Sequence, residues 1–260
     1  MTNLKLKPSV RKEIEDLLIK TVETKLEKYK PETESAPFHY RLLGRDRYAM
    51  FSFLQSLNTT LGVSIWEQIA EILAKGAGRE AKHQYDLFGE VNSNTNSEIV
   101  RIIQELREGK RTSDKVKEAN IIKRLIKSGI AEKDADSRVD FYVVVDGTEN
   151  YFDITSAKPN MKEFVSLKQK LLRWMALRWS VKKSAKVITR LAIPYNPYHP
   201  KPYERWTLQG LYDLKGGEVL VGEEFWNFVG GGDIYGSLLN VFEDAGKKLR
   251  TKIDKKFSTI

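Results

Sequence analysis

Apolar positions change period along the chain, and each change predicts an element. In residues 8–30, Val10, Ile14, Leu17, Leu18, Val22 and Leu26 recur at helical spacing with charge on the other faces, which predicts an amphipathic helix. The segment "KPETESAPFH" is a connector. Residues 46–75 read as two helices broken near "NTTLG", the second burying Trp66, Ile69, Ile72 and Leu73. "AKGAGREAKHQYDLFGEVNSNTNSE" is polar and irregular, and is expected to be a surface loop or a strand-poor linker. A helix capped by Ser97 should run through "EIVRIIQELREG" to Gly109, and another through "SDKVKEANIIKRLIKSG".

The pattern then turns apolar and β-branched. Residues 138–145 and 150–157 read as strands joined by a turn at Asp146-Gly147-Thr148-Glu149. Pro159 ends the second strand, a helix follows at about 161–180, and "AKVITRLAIPY" is a third strand. "NPYHPKPYERW" is a loop, "GGEVLVG" a short strand, "EEFWNFVGG" a turn or two of helix, and "YGSLLNVFEDAGKKLRTKI" the closing helix. The expected class is α/β, a core of helix, β-hairpin, helix and strand with flanking helices. The expected organisation is an N-terminal helical region over 1–95, packed on a core over 96–260.

Composition narrows the chemistry. There are no cysteines, which excludes disulfides, thiolate zinc sites and cysteine nucleophiles. His39, His83 and His199 are far apart and show no ligand spacing. No stretch approaches a transmembrane length and the N-terminus lacks an apolar signal core, so a cytoplasmic protein is expected. The formal net charge is +9, and residues 161–190 hold nine Lys or Arg against the single acid Glu163. A basic helix is often just a solvated face, but this one directly follows the hairpin, which favours a polyanionic partner.

The hairpin "VDFYVVVDGTENYFDITSAKPN" (139–160) carries Asp140, Asp153 and Lys158. Folded about Gly147-Thr148, it sets residue 140 opposite roughly 155 or 156 and brings Asp140 and Lys158 to its open end, with Asp153 a few residues in. Strand-end acids and lysines commonly serve only to block edge pairing. Asp153 is harder to explain that way, because it interrupts an apolar run between Phe152 and Ile154 and is costly there without a partner. Two carboxylates converging on one point suit a hard cation, Mg²⁺ first, and an added ammonium completes a set suited to phosphodiester hydrolysis.

"VD…YFDITSAKPN" resembles the PD-(D/E)XK nuclease signature. With "LKQKLLRWMALRWS" and "VGEEFWNFVGGGDIYGSLLNVFEDAGKKLR", it is similar to type II restriction endonucleases of the TdeIII group over about residues 95–250. The resemblance implies a restriction-endonuclease-like core and Mg²⁺-dependent cleavage of double-stranded DNA, with Mn²⁺ able to substitute. It also implies 5′-phosphate ends, a short GC-rich palindrome of the GGNCC type, and a cognate DNA methyltransferase as genetic partner. A palindrome calls for a homodimer, to which the Trp-rich segments 174–179 and 225–229 could contribute, although such aromatic runs are more often the core of the chain itself.

Carried onto this chain, the resemblance makes Asp140 and Asp153 metal ligands, the Ile154 carbonyl a further ligand and Lys158 the catalytic lysine. The chain departs from the pattern at Val139, where a Pro is usual, and at Thr155, where the lysine two after the acid is usual. An acid from a helix, Glu98 or Glu118, could complete the site. Lys168, Arg173 and Arg178 are expected on phosphates, with Lys182, Lys183 and Lys186 nearby. Arg190, Asn196, His199, Lys201 and Arg205 are candidates for reading bases. Two alternatives stay open: a repair or recombination nuclease with the same chemistry, and a DNA-binding protein whose catalytic set has decayed.

Overall fold

The computed structural model describes residues 5–30, 36–127, 129, 133–204, 208 and 210–258, with the side chains of 63, 135 and 136 left aside. Its chain divides into two compact units, one of residues 1–72 with 232–260 and the other of 73–231. The expected boundary at 95/96 therefore falls inside the second unit.

The first unit is helical. It holds α1 (Pro8–Lys28), α2 (Pro37–Leu43), α3 (Arg45–Thr60) and a π-helical turn at Leu61–Ile65; the division falls within the following helix, α4 (Trp66–Gly76). The long C-terminal helix, Tyr235–Phe257, belongs to this unit and packs along α1. The α1 stripe is buried as its spacing predicts, at Val10, Ile14, Leu18 and Leu26. Phe53 and Phe257 close a small core over Leu26 and Ala49.

The second unit is built on a five-stranded sheet, in the order β1 (Ala81–Phe88), β2 (Lys133–Val145), β3 (Thr148–Ile154), β4 (Val187–Ile193) and β5 (Val219–Val221). The first three strands form an antiparallel meander, and β4 and β5 continue it in parallel. Three helices, α5 (Ser93–Arg107), α6 (Lys115–Leu125) and α7 (Met161–Val181), bury apolar faces with Tyr142 and Tyr151. Phe152, next along β3, instead meets Phe225 and Phe228 of α8 (Glu223–Gly230) at 5.4 and 5.7 Å. This is the two-fold alternation of a strand buried on both faces. The crossover from β3 to β4 passes through α7, the connection that a parallel pair requires.

Two expectations change here. The polar stretch expected to be a surface loop or strand-poor linker contains β1, disguised by polar residues and by Gln84, which holds a left-handed conformation at φ 48°. After β1 the chain passes α7 so closely that a Cβ on Gly89 would lie 2.1 Å from the Leu177 carbonyl oxygen. The cap of α5 is Asn92, whose side chain accepts from the Thr95 amide at 2.9 Å, rather than Ser97. Trp174, Trp179 and Trp226 are buried in the chain itself, so they do not form a surface for a second copy. No described helix is long and apolar enough to cross a membrane.

Candidate active site

The hairpin turn is tighter than the four residues first read. Val145 pairs with Thr148, so the loop is Asp146-Gly147 alone, with φ 49° and 71°. Two successive positive φ values define the type I′ turn that Asp-Gly favours. The register then runs Phe141 to Phe152, and one further step sets Asp140 opposite Asp153, not opposite 155 or 156. The two acids are thus cross-strand neighbours at the open end.

Asp140 is anchored by the sheet. Its Oδ2 accepts the Ile154 amide at 2.7 Å, taking the place of a ladder carbonyl. On the other flank, the Thr155 amide donates to the Ala192 carbonyl at 3.0 Å. In an extended strand a residue's N–H and C=O point the same way, so the Ile154 carbonyl is directed toward the Asp140 gap. The β1 residue level with Asp140 is Gln84, whose left-handed backbone interrupts the ladder between the pairs His83–Phe141 and Tyr85–Val139. Backbone irregularity of this kind is common beside functional groups.

Asp153 shares its sheet face with Tyr151 and looks toward α7. Its Oδ2 lies 2.5 Å from Lys170 Nζ, and the two side chains are 6% and 29% exposed. The Lys170 ammonium also lies 4.9 Å from the Trp174 ring centroid, one helical turn on. In the sequence Lys170 is one of several basic residues of α7, and no local spacing joins it to the hairpin acids.

Lys158 lies beyond the end of β3, exposed, with Nζ 5.3 Å from the Tyr198 ring centroid. Its segment is tied to the loop after β4, where Tyr203 donates to the Ala157 carbonyl at 2.9 Å. The following "PN" has a structural use. Asn160 caps α7 by accepting from the Glu163 amide at 3.0 Å, and Glu163 returns a bond from the Asn160 amide at 2.6 Å.

The other expected contacts separate by place. Lys168 is wholly buried, 2.7 Å from Glu118 and paired also with Glu218, so it does not reach a phosphate. Glu118 is thereby accounted for, and Glu98 pairs with Arg101 at 2.6 Å, so neither acid is brought to the hairpin. Arg173 binds Asp134 at 2.7 Å and Asn96 at 2.9 Å. Arg178 holds Glu149 in a two-pronged pair at 2.6 and 2.7 Å. Arg190 donates to Asn150 and lies 4.8 Å from the Phe228 ring centroid; burial pushes its guanidinium down to about 10.

Lys182, Lys183 and Lys186 are exposed but sit at the other end of the sheet, where the Glu149 amide meets the Lys186 carbonyl. Four strand residues, about 13 Å, separate that end from Asp153. Asn196, His199 and Lys201 follow β4 at the open end, and Asn196 donates to the Lys201 carbonyl at 2.7 Å. Arg205 lies outside the described residues.

Asp140, its cross-strand neighbour Asp153 and the Ile154 carbonyl place oxygen donors at the open end of the hairpin, a donor type that fits a hard divalent cation. Among the described residues no group of three or more acids or histidines is placed to hold a metal, so main-chain oxygen or solvent would complete the shell.

The meander, the crossover helix and the acids at the hairpin's open end form the restriction-endonuclease-like architecture that the sequence predicts. The family model "Type II restriction endonuclease, HinfI" matches residues 2–246, and the chain belongs to that family. The match is to the HinfI model, whereas the resemblance read from the sequence was to the TdeIII group; both are type II restriction endonucleases. The chain is similar to type II restriction enzyme HgiCII of Herpetosiphon aurantiacus, 28% identical over 85% of this chain and 81% of that protein. It is also similar to HgiBI of the same organism, 26% identical over 85% and 80%. Type II restriction enzyme MjaII of Methanocaldococcus jannaschii is 27% identical over 69% of this chain and 50% of its own length. The chain is a type II restriction endonuclease, and its substrate is double-stranded DNA.

Proposed function

We propose that the enzyme hydrolyses DNA with Mg²⁺ held by Asp140, Asp153 and the Ile154 carbonyl. The observation that supports this most is the cross-strand placement of the two acids, with the Ile154 amide fixing one carboxylate at 2.7 Å. A divalent ion bound there supplies Lewis acidity toward the phosphate and lowers the pKa of its water. Mn²⁺, with similar oxygen preference, would substitute.

The chain's own groups position the substrate. Lys201 and Asn196, at the same end as the acids, bind and orient the duplex. Lys182, Lys183 and Lys186 add positive field at the far end. Attack of water on phosphorus with loss of the 3′ oxygen leaves a 5′-phosphate and a 3′-hydroxyl. The expected target is a short GC-rich palindrome of the GGNCC type, cut by a homodimer whose two-fold axis matches that of the site. A cognate DNA methyltransferase, acting separately, would protect the host's own copies of the target.

The test is incubation of the purified chain with long unmethylated DNA, with Mg²⁺ or with a chelator. Discrete fragments that require Mg²⁺ are expected, and their ends give the target. A smear would indicate the repair-type nuclease. Binding without cutting under any metal would indicate the decayed one.

A further inference from the structure

The position that should carry the site's lysine is Thr155, and the strand cannot supply an ammonium there. Thr155 remains in register with β4 through its amide bond to Ala192, so by alternation it shares a face with Asp153. A lysine at 155 would project from that face toward α7. We infer that Lys170 supplies the missing ammonium, reaching the same face from the helix above it. This inference rests on the nuclease reading given above.

Three observations support Lys170. The first is contact: Nζ lies 2.5 Å from Asp153 Oδ2, across 17 residues of sequence. The second is direction. The helix starts beyond the open end of the hairpin, and side chains on a helix lean toward its N-terminus. Lys170 therefore leans back toward the site from the middle of α7. The third is access. The ammonium is steadied by Asp153 and the Trp174 ring, and the side chain is 29% exposed rather than sealed as Lys168 is. Lys158, by contrast, lies three residues past Thr155, beyond the last bond to β4, with its ammonium 5.3 Å from the ring centroid of Tyr198 in the loop that follows β4.

In the reaction a water oxygen forms a bond to phosphorus and the bond from phosphorus to the 3′ oxygen breaks. That oxygen leaves with the electron pair and takes a proton from solvent, and the proton of the attacking water passes to solvent. The Lys170 ammonium keeps its protons. It donates a hydrogen bond to the attacking water and offsets the charge growing on the phosphoryl oxygens.

The experiment compares the full chain with Asp140→Asn, Lys170→Met, Lys170→Arg, Lys158→Met and the double variant Lys170→Met with Thr155→Lys. Three quantities are read: single-turnover cleavage in Mg²⁺, binding of Mn²⁺ alone by electron paramagnetic resonance, and melting temperature. Lys170→Met should slow cleavage about 100-fold, and more than Lys158→Met does, while Mn²⁺ binding and melting stay close to the parent's. Restoring a lysine at 155 should recover at least about tenfold of that loss, a recovery that a purely structural pair would not show. Lys170→Arg keeps a cation against Asp153 and should lose less than Lys170→Met.

Cleavage by Lys170→Met within about threefold of the parent, which corresponds to under about 1 kcal/mol of transition-state stabilisation, would overturn the inference, as would a larger loss in Lys158→Met. Collapse of melting in Lys170→Met, with normal turnover by the folded Lys170→Arg and no recovery at 155, would make the pair structural. Failure of the nuclease reading looks different: the parent does not cut, or Asp140→Asn cuts as well as the parent.

Discussion

Lys168 and Lys170 stand two residues apart on α7, and each meets carboxylates from other elements. Residues two apart on a helix face different ways, so the two lysines serve different environments. Lys168 enters a sealed cluster with Glu118 and Glu218, whose side chains are 1% and 3% exposed. The spare oxygens there bond to main-chain amides, Glu118 to Asp114 at 3.2 Å and Glu218 to Asp213 at 2.8 Å. Glu118 Oε2 makes a close charge contact with the ammonium rather than a directed hydrogen bond. Burial raises the Glu118 carboxyl, and Lys168 only partly opposes the shift. This cluster fastens α6 and α7 to the turn before β5.

Around Lys170 the same residue types are arranged differently. One acid is fixed by a strand amide, a carbonyl is directed into the gap, and the ammonium keeps access to solvent. Two acids and a lysine are therefore not a site by composition. Partial exposure and an acid fixed by a strand amide separate the cluster proposed to react from the one that holds helices together.

The comparison can be broken most severely at Asp140. Asp140→Ala should lower cleavage by about 10³-fold or more, since metal Lewis acidity contributes several kcal/mol. Single-turnover rates beside a melting curve would check that the protein still folds. Lys168→Met should act the other way round. It leaves two carboxylates buried together and should cost about 3–5 kcal/mol of stability in urea unfolding. If Lys168→Met is as stable as the parent, the sealed cluster is not the staple described.

Acid and base limbs sharpen the contrast. Glu118 is raised on folding, so its contribution to stability is fully present below its unfolded value and lost as pH rises through the folded one. Glu118→Gln should flatten that loss in unfolding measured across pH. Glu149 is the opposite case: burial would raise it, but the bonds from Arg178 and Tyr151 prevail and hold it below its ordinary value. Its contribution is present above the unfolded value and lost as pH falls through the folded one. Arg178→Met should remove that acid-side loss and cost about 1 kcal/mol, a modest figure because the pair is partly exposed. The smallest expected effect is on DNA binding. Lys201→Ala should weaken it more than Lys183→Ala and lower the slope of log affinity against log salt by about one, measured by titration at several salt concentrations.

The hairpin, the crossover helix and the two acids were legible because each has a local signature: β-branched runs, Asp-Gly, and an acid within an apolar strand. The acids' exact pairing was not, because it depends on a turn of two residues rather than four. β1 was hidden because its polar residues and the left-handed Gln84 disguise a strand whose place is set by pairing with β2. The lysines of α7 were counted as one basic face, whereas burial seals Lys168 and brings Lys170 onto Asp153. Those contacts are tertiary, and no spacing along the chain announces them. A lysine on the helix that follows, leaning back toward the acidic strand end, is the signal in the sequence that points to the Lys170 contact.

The most direct test sets the two clusters against each other. Asp153→Asn and Glu118→Gln, each shown to be folded by its melting curve, are compared for single-turnover cleavage of one long unmethylated DNA in Mg²⁺. Loss of cleavage in Asp153→Asn with near-parental cleavage in Glu118→Gln is the predicted result. Cleavage retained by Asp153→Asn, or lost only in Glu118→Gln, would contradict the placement of the chemistry at the open end of the hairpin.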